Sequence, residues 1–344
     1  MMLRFALAGL AVIGTIHAGT LRKIWDFEAG APGVYALGFS PDGKHIAAVV
    51  GPAWDKQFVL VLDAADPGAN TMRFEINPMG LGGISWSPSS QQIMIGSTRL
   101  RLQDGKTCSV QDGAGLPSFV GEDRLVAQAI RPVGPLTTRI REGHSFLIFF
   151  DSDCHSAGSW DLPVEQSLLA ISADRGLLFV LRDTRSTVVD ASSGIVLHQL
   201  PTLGSVRVSD SGKAICGVVV RLPWEMNVSC LDVDTGNPLA TTRQFKYLGL
   251  STASHARRLV LSEYGRIPDF IEFGWALGGL KRRIVWDFGT KQEVVSWSPK
   301  SQKVPVPFRP LESQSQPYAF DISPDGEYIV EGGAGTISLY RIEP

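Results

Sequence analysis

YALGFSPDGKHIAAVV (residues 35–50) and YAFDISPDGEYIVEGG (residues 318–333) are two copies of one unit, placed near opposite ends of the chain. Each reads as a short apolar strand, a Ser-Pro-Asp-Gly turn and a second apolar strand. Proline pre-sets the backbone angle at the second turn position, and glycine accepts a conformation that other residues avoid. A third copy, GISWSPSSQQIMIGS (residues 83–97), has the Asp-Gly worn to Ser-Ser. Weaker copies lie between: PSFVGEDRLVAQAI (117–130), LLAISADRGLLFVL (168–181), SVRVSDSGKAICGVV (205–219) and LGLSTASHARRLVLS (248–262). The turns recur at Ser40, Ser87, Gly121, Ser172, Ser209, Ser251 and Ser323.

A third strand follows each pair, as in FVLVLDAADPG (58–68), STVVDASSG (186–194), VSCLDVDTG (228–236) and RIVWDFGTK (283–291). The aspartate near its end can accept hydrogen bonds from its own backbone just beyond, which starts the next turn. A fourth strand comes next, as in IVLHQL (195–200) and EVVSWS (293–298). Four short strands every ~40–50 residues is the period of a β-propeller blade. The expected fold is therefore all-β: a seven-bladed β-propeller with four antiparallel strands per blade. Six or eight blades are the alternatives, because the third unit is worn.

The repeat resembles that of WD40-like propellers of the bacterial, YVTN-containing kind, as a divergent member, from about Thr20 to Glu343. Tryptophan-aspartate pairs occur at Trp25-Asp26, Trp54-Asp55, Trp160-Asp161 and Trp286-Asp287, and the last ends a third strand. A Gly-His pair occurs at Gly143-His144, out of the family's place. The Asp–His–Ser/Thr–Trp network that the resemblance implies is thus missing from most blades. At the ends, the seventh unit has three strands, and LRKIWDF (21–27) supplies a spare one. Pairing it onto residues 337–342 would close the ring and remove two open edges.

Residues 1–18 read as a signal peptide: one positive charge, an apolar run over 5–16, and His17-Ala18-Gly19 for cleavage. A retained membrane anchor is the alternative. Residues 19–344 are then one propeller domain, secreted or periplasmic, with no membrane span after cleavage. Hydrophobic residues make up 44% of the 344-residue chain and net charge is −2, which supplies a core but no basic surface for nucleic acid. Of the four cysteines, Cys216 and Cys230 fall on consecutive strands of one unit and are the candidate disulfide. The plainer reading of all four, with Cys108 and Cys154, is buried thiols.

No nucleophile elbow, phosphate-binding glycine loop or zinc spacing is present. The starts of the innermost strands, where propeller enzymes place their ligands, carry no carboxylate or histidine. His45, His144, His155, His198 and His255 are scattered over different units. Asp321, in a strand that should be buried, is the odd acid and is expected to accept bonds from nearby backbone or hydroxyl groups. No catalytic residue, metal or cofactor is expected.

The irregular lengths fall in connections that this fold brings to one face. They carry Trp54, Arg139, Arg141, Trp224, Arg266, Phe270, Phe273 and Trp275. Aromatics and arginines are the residue types that dominate protein interfaces, although the same aromatics could serve to pin their own loops. The expected function is a monomeric, non-enzymatic platform for a protein or peptide. A lactonase-like hydrolase, or carbohydrate or small-ligand binding by exposed tryptophans, are the alternatives.

Overall fold

A computed structural model describes residues 19–53, 56–75, 83–110, 116–131, 144–162, 166–182, 185–201, 203–209, 211–222, 225–243, 248–252, 257–264, 280–298 and 319–343. They form seven four-stranded antiparallel sheets. A leading strand, β1 (Thr20–Glu28), precedes the first blade, which is β2 (Gly33–Phe39), β3 (His45–Ala53), β4 (Lys56–Asp63) and β5 (Met72–Glu75). The second is β6 (Ile84–Trp86), β7 (Gln92–Ile95), β8 (Thr98–Arg101) and β9 (Thr107–Ser109). The third is β10 (Ser118–Phe119), β11 (Leu125–Arg131), β12 (His144–Phe150) and β13 (Ser156–Leu162). The fourth is β14 (Gln166–Ser172), β15 (Leu177–Arg182), β16 (Arg185–Asp190) and β17 (Val196–Leu200). The fifth is β18 (Gly204–Val208), β19 (Ala214–Leu222), β20 (Glu225–Asp232) and β21 (Pro238–Thr241). The sixth is β22 (Leu248–Thr252), β23 (Arg258–Tyr264), β24 (Leu280–Asp287) and β25 (Gln292–Trp297). The last is β26 (Ala319–Ile322), β27 (Tyr328–Gly333) and β28 (Thr336–Glu343), with β1 as its outer strand. The expected seven-bladed propeller is therefore the fold. In the sixth blade the inner strand runs through Ser251 to Thr252, so the turn begins later than the repeat places it.

The second strand of the first blade, β3, is apolar along most of its length because both of its faces are covered. Ile46, Ala48 and Val50 pack toward Val330, Ile337 and Leu339 of the last blade. Ala47 and Val49 point the other way, toward Trp86, Ile93 and Ile95 of the second. The core is thus a series of layers between blades, and alternate residues of one strand serve two of them.

The turns fold by the chemistry that their sequence implies. Ser40 Oγ accepts from the His45 amide (2.9 Å) and donates to Asp42 Oδ1 (2.6 Å). Ser323 repeats both bonds with Tyr328 and Asp325. Gly43 and Gly326 close these turns at φ of 71° and 73°. In the worn second unit the Ser89 hydroxyl stands in the aspartate's place, bonding Ser87 Oγ and accepting from the Gln91 amide (both 3.3 Å), and Glu122 of the third blade accepts from the Ser89 amide (2.9 Å) and hydroxyl (2.5 Å). The aspartates that end third strands cap their own turns, as Asp63, Asp232 and Asp287 each accept two succeeding amides. Asp190 is held at about 2 by the Ser192 and Ser193 hydroxyls and the Ser193 amide.

Cys216 and Cys230 are bonded, directly opposite on β19 and β20. Cys108 and Cys154 are bonded as well, which corrects the reading of these two as free thiols. That bond joins β9 of one blade to the turn after β12 of the next, a neighbourhood that only the packing of blades creates. Closing loops of 14 and 46 residues contributes about 3 and about 4 kcal/mol by the chain-entropy relation. Two such bonds fit an oxidising compartment.

Four of the ties between blades run from arginine to a backbone carbonyl. Arg99 donates to Asp151 O (3.2 Å), Arg124 to Ala191 O (3.1 Å), Arg175 to Gly212 O (3.0 Å) and Arg258 to Gly326 O (2.6 Å), each reaching into the following blade.

Candidate functional site

The inner strands surround an axial channel with a cavity of about 800 Å³. Its walls are mainly backbone and apolar side chains, including Gly38, Gly83, Ile84, Ala170 and Val206. Three ionisable side chains also line it: Asp321 on β26, Arg207 on β18 and Asp174 in the turn after β14. The strand starts carry no carboxylate or histidine, but these groups come from strand ends and a turn. The sequence argument about the channel rested on those starts alone. It considered one end of each inner strand, and the opposite end also borders the channel.

Asp321 occupies a repeated position, two residues before the turn serine, where its carboxylate can span to the next blade. Its Oδ2 accepts from the Phe39 amide of the first blade (2.8 Å), and its Oδ1 from the Ile322 amide (2.9 Å). This is the backbone bonding that its burial required. Ser85 makes the same tie from the second blade, accepting from the Phe119 amide at 3.3 Å. In the first blade the position is Gly38, and here Trp86 Nε1 donates instead to the Gly38 carbonyl (3.2 Å). In the fifth it is Arg207, which donates to Val206 O (3.0 Å).

Burial pushes Asp321 up to about 7, against the pull of its two amides. Burial also raises Asp174 and lowers Arg207. The channel therefore holds one acid poised near neutrality, a second acid and a cation. Among the described residues no group of three or more histidine, cysteine or acidic side chains is placed to hold a metal. His45, His155 and His198 lie in separate blades.

The candidate binding residues Trp54, Arg139, Arg141, Trp224, Arg266, Phe270, Phe273 and Trp275 lie outside the described residues. The strands that carry their connections are described. These are the second and third strands of the first, third, fifth and sixth blades, whose antiparallel order brings all four connections to one end of the ring. That end is opposite the Ser-Pro-Asp-Gly turns. Among the described residues no helix is long and apolar enough to cross a membrane. The fold and channel define a closed seven-bladed propeller with charged groups on its axis. No protein-family model matches the chain, and no curated protein does.

The Asp321 carboxyl carries a testable pH dependence. Its folded-state value of about 7 lies above the ordinary 3.8, so the folded chain holds this proton more tightly than the unfolded one. The resulting stabilisation is complete below the unfolded value and is lost as pH rises through 7. Thermal melts of the native protein and Asp321→Asn, run from acid to alkaline pH, should differ by a term that changes between about pH 4 and 7. Parallel profiles would show that this carboxyl does not titrate there.

Proposed function

We propose that this protein is an exported, non-enzymatic relative of the WD40-like propellers that presents one end of its ring to a protein or peptide. The observation that carries this reading is the arrival of four aromatic- or arginine-bearing connections, two long (132–143 and 265–279) and two short (54–55 and 223–224), at one end of a scaffold closed by its own N-terminal strand. A closed ring holds loops in a fixed relation, which lowers the entropy lost on binding. Their tryptophans and arginines are the residue types that anchor interfaces. Export is supported by the signal-like residues 1–18 and by the two disulfides.

The test is affinity capture from the envelope or culture fraction of the native host. Replacing Trp54, Trp224 and Trp275 together with Ala should abolish capture and leave the melting temperature within a few degrees. Each central anchor contributes about 1–4 kcal/mol to binding. Unfolding of the variant would make these residues loop anchors, and capture that persists would move the interface elsewhere. A second reading, a small polar ligand held in the channel, is favoured by Asp321, Asp174 and Arg207 around the same cavity. It predicts that Asp174→Asn weakens such a ligand and leaves partner capture unchanged.

A further inference from the structure

The outer strand of a blade ends its sheet, so the backbone groups on its far side have no strand to bond. Most outer strands here are guarded against pairing. β1 carries Arg22, Lys23 and Asp26, β5 carries Arg73 and Glu75, β21 begins with Pro238, and β25 carries Glu293. β13 carries Asp161, and β9 is three residues long. β17 (VLHQL) is different: it has no acid, lysine, arginine or proline. Ile195, Val196 and Leu197 stand 61%, 52% and 49% exposed at its start, an unbroken apolar run on a free edge.

Beside that edge lies a second cavity of about 280 Å³, a crevice between the third and fourth blades. Leu147, Trp160, Leu162, Val180, Val189 and Val196 form its apolar wall. Trp160 is braced on one side by Phe149, with ring centroids 4.6 Å apart. Gly194, in the turn before β17, is the close neighbour on the other, since a Cβ there would lie 3.5 Å from the indole. Thr187 also lines the crevice, is 4% exposed, and its Oγ1 has no hydrogen-bond partner.

The two features together select one kind of ligand. A free strand edge is satisfied by another extended backbone. A crevice of about 280 Å³, at the lower end of the range for ligand sites, has room for a single large side chain. β17 itself carries no charged side chain, and the two charges beside it, Arg185 on Gln199 (3.1 Å) and Asp161 in the crevice lining, are of opposite sign, so an uncharged segment suits it. We propose that β17 binds an extended, uncharged peptide segment of a partner protein. The segment adds as a fifth strand to the fourth blade and sets an aromatic side chain in the crevice. Tyrosine suits it, as an uncharged aromatic ring that can pack beside Trp160. This site is built from other residues than the loop end and stands whether or not that end binds a partner.

The probe is a fluorescent hexapeptide of alternating Thr and Val with one central Tyr, blocked at both termini, read by anisotropy. Saturable binding is expected, weakened about ten-fold or more when the central Tyr becomes Asp. N-methylation of alternate peptide nitrogens should abolish it, because the strand ladder is lost. Protein carrying Val196→Lys and Leu197→Lys should melt as the native does and bind at least about ten-fold more weakly. The N-methylated peptide decides the matter on native protein if that variant does not fold. Absence of saturable binding, or equal binding of the N-methylated peptide, overturns the proposal. So does sedimentation in which the native chain is dimeric and the lysine variant monomeric, since the edge would then be taken by a second copy.

Discussion

Deletion of residues 21–27 is expected to leave a protein that aggregates or has lost most of its stability. Those residues form nearly all of β1, which pairs with β28 from Thr20↔Glu343 to Glu28↔Thr336, with one irregularity between Lys23 and Trp25. Leu21 packs with Val260, Val285 and Val295 of the sixth blade. Trp25 and Phe27 pack against the layer between the last and first blades, and Trp25 Nε1 donates to Ala64 O at 3.0 Å. Truncating a single large core aromatic costs about 3–5 kcal/mol, and a whole domain has only about 5–15 kcal/mol to lose. Discounted for the partial exposure of Trp25 and Phe27, the deletion still removes a large share, and it bares β28 as an open edge. Gel filtration and thermal melts of the truncated chain decide the matter. A soluble, monomeric, equally heat-stable product would mean that β1 does not hold the ring closed.

The second large effect is expected at the seam between the sixth and last blades. The Arg283 side chain, on β24, is fully buried and meets Glu331 of β27 at 2.6 Å. Trp297 Nε1 donates to the same Glu331 oxygen at 2.8 Å, and the guanidinium lies 3.6 Å from the centre of the Phe320 ring. Glu331→Ala withdraws the carboxylate and leaves the positive charge in the core, a change that costs about 3–5 kcal/mol. The loss should appear as a lower denaturation midpoint. Replacing both residues, with Arg283→Met and Glu331→Leu, should recover much of it, because the buried charge is removed with its partner. A Glu331→Ala protein that unfolds at the native midpoint would show that the pair contributes no net stability.

These two sites differ in how far the sequence reveals them. LRKIWDF is legible as a closing strand because the last unit visibly lacks one and strand patterning is local. The turns at Ser40 and Ser323 and the caps at Asp63 and Asp287 are legible for the same reason, since donor and acceptor lie within a few residues. Arg283 and Glu331 are 48 positions apart, and nothing near either names the other. Cys108 and Cys154 were passed over because they belong to different blades, whereas Cys216 and Cys230 were found within one hairpin.

Asp321 stands between these cases. Its oddity is plain in the sequence, as an acid in an apolar inner strand, and so is its need for donors. That the donor is the Phe39 amide, 282 positions away, follows only when the ring brings the last blade against the first. The sequence by itself determined the four-strand repeat, the blade count, the manner of closure and the turns other than that of the sixth blade, because these depend on two-residue alternation and turn chemistry repeated along the chain. Tertiary structure alone decided the arginine ties, the inter-blade disulfide, the charges on the axis and the crevice beside β17. Each is a contact between neighbouring blades, and its partners are chosen by the angular packing of sheets around an axis, which no local pattern records.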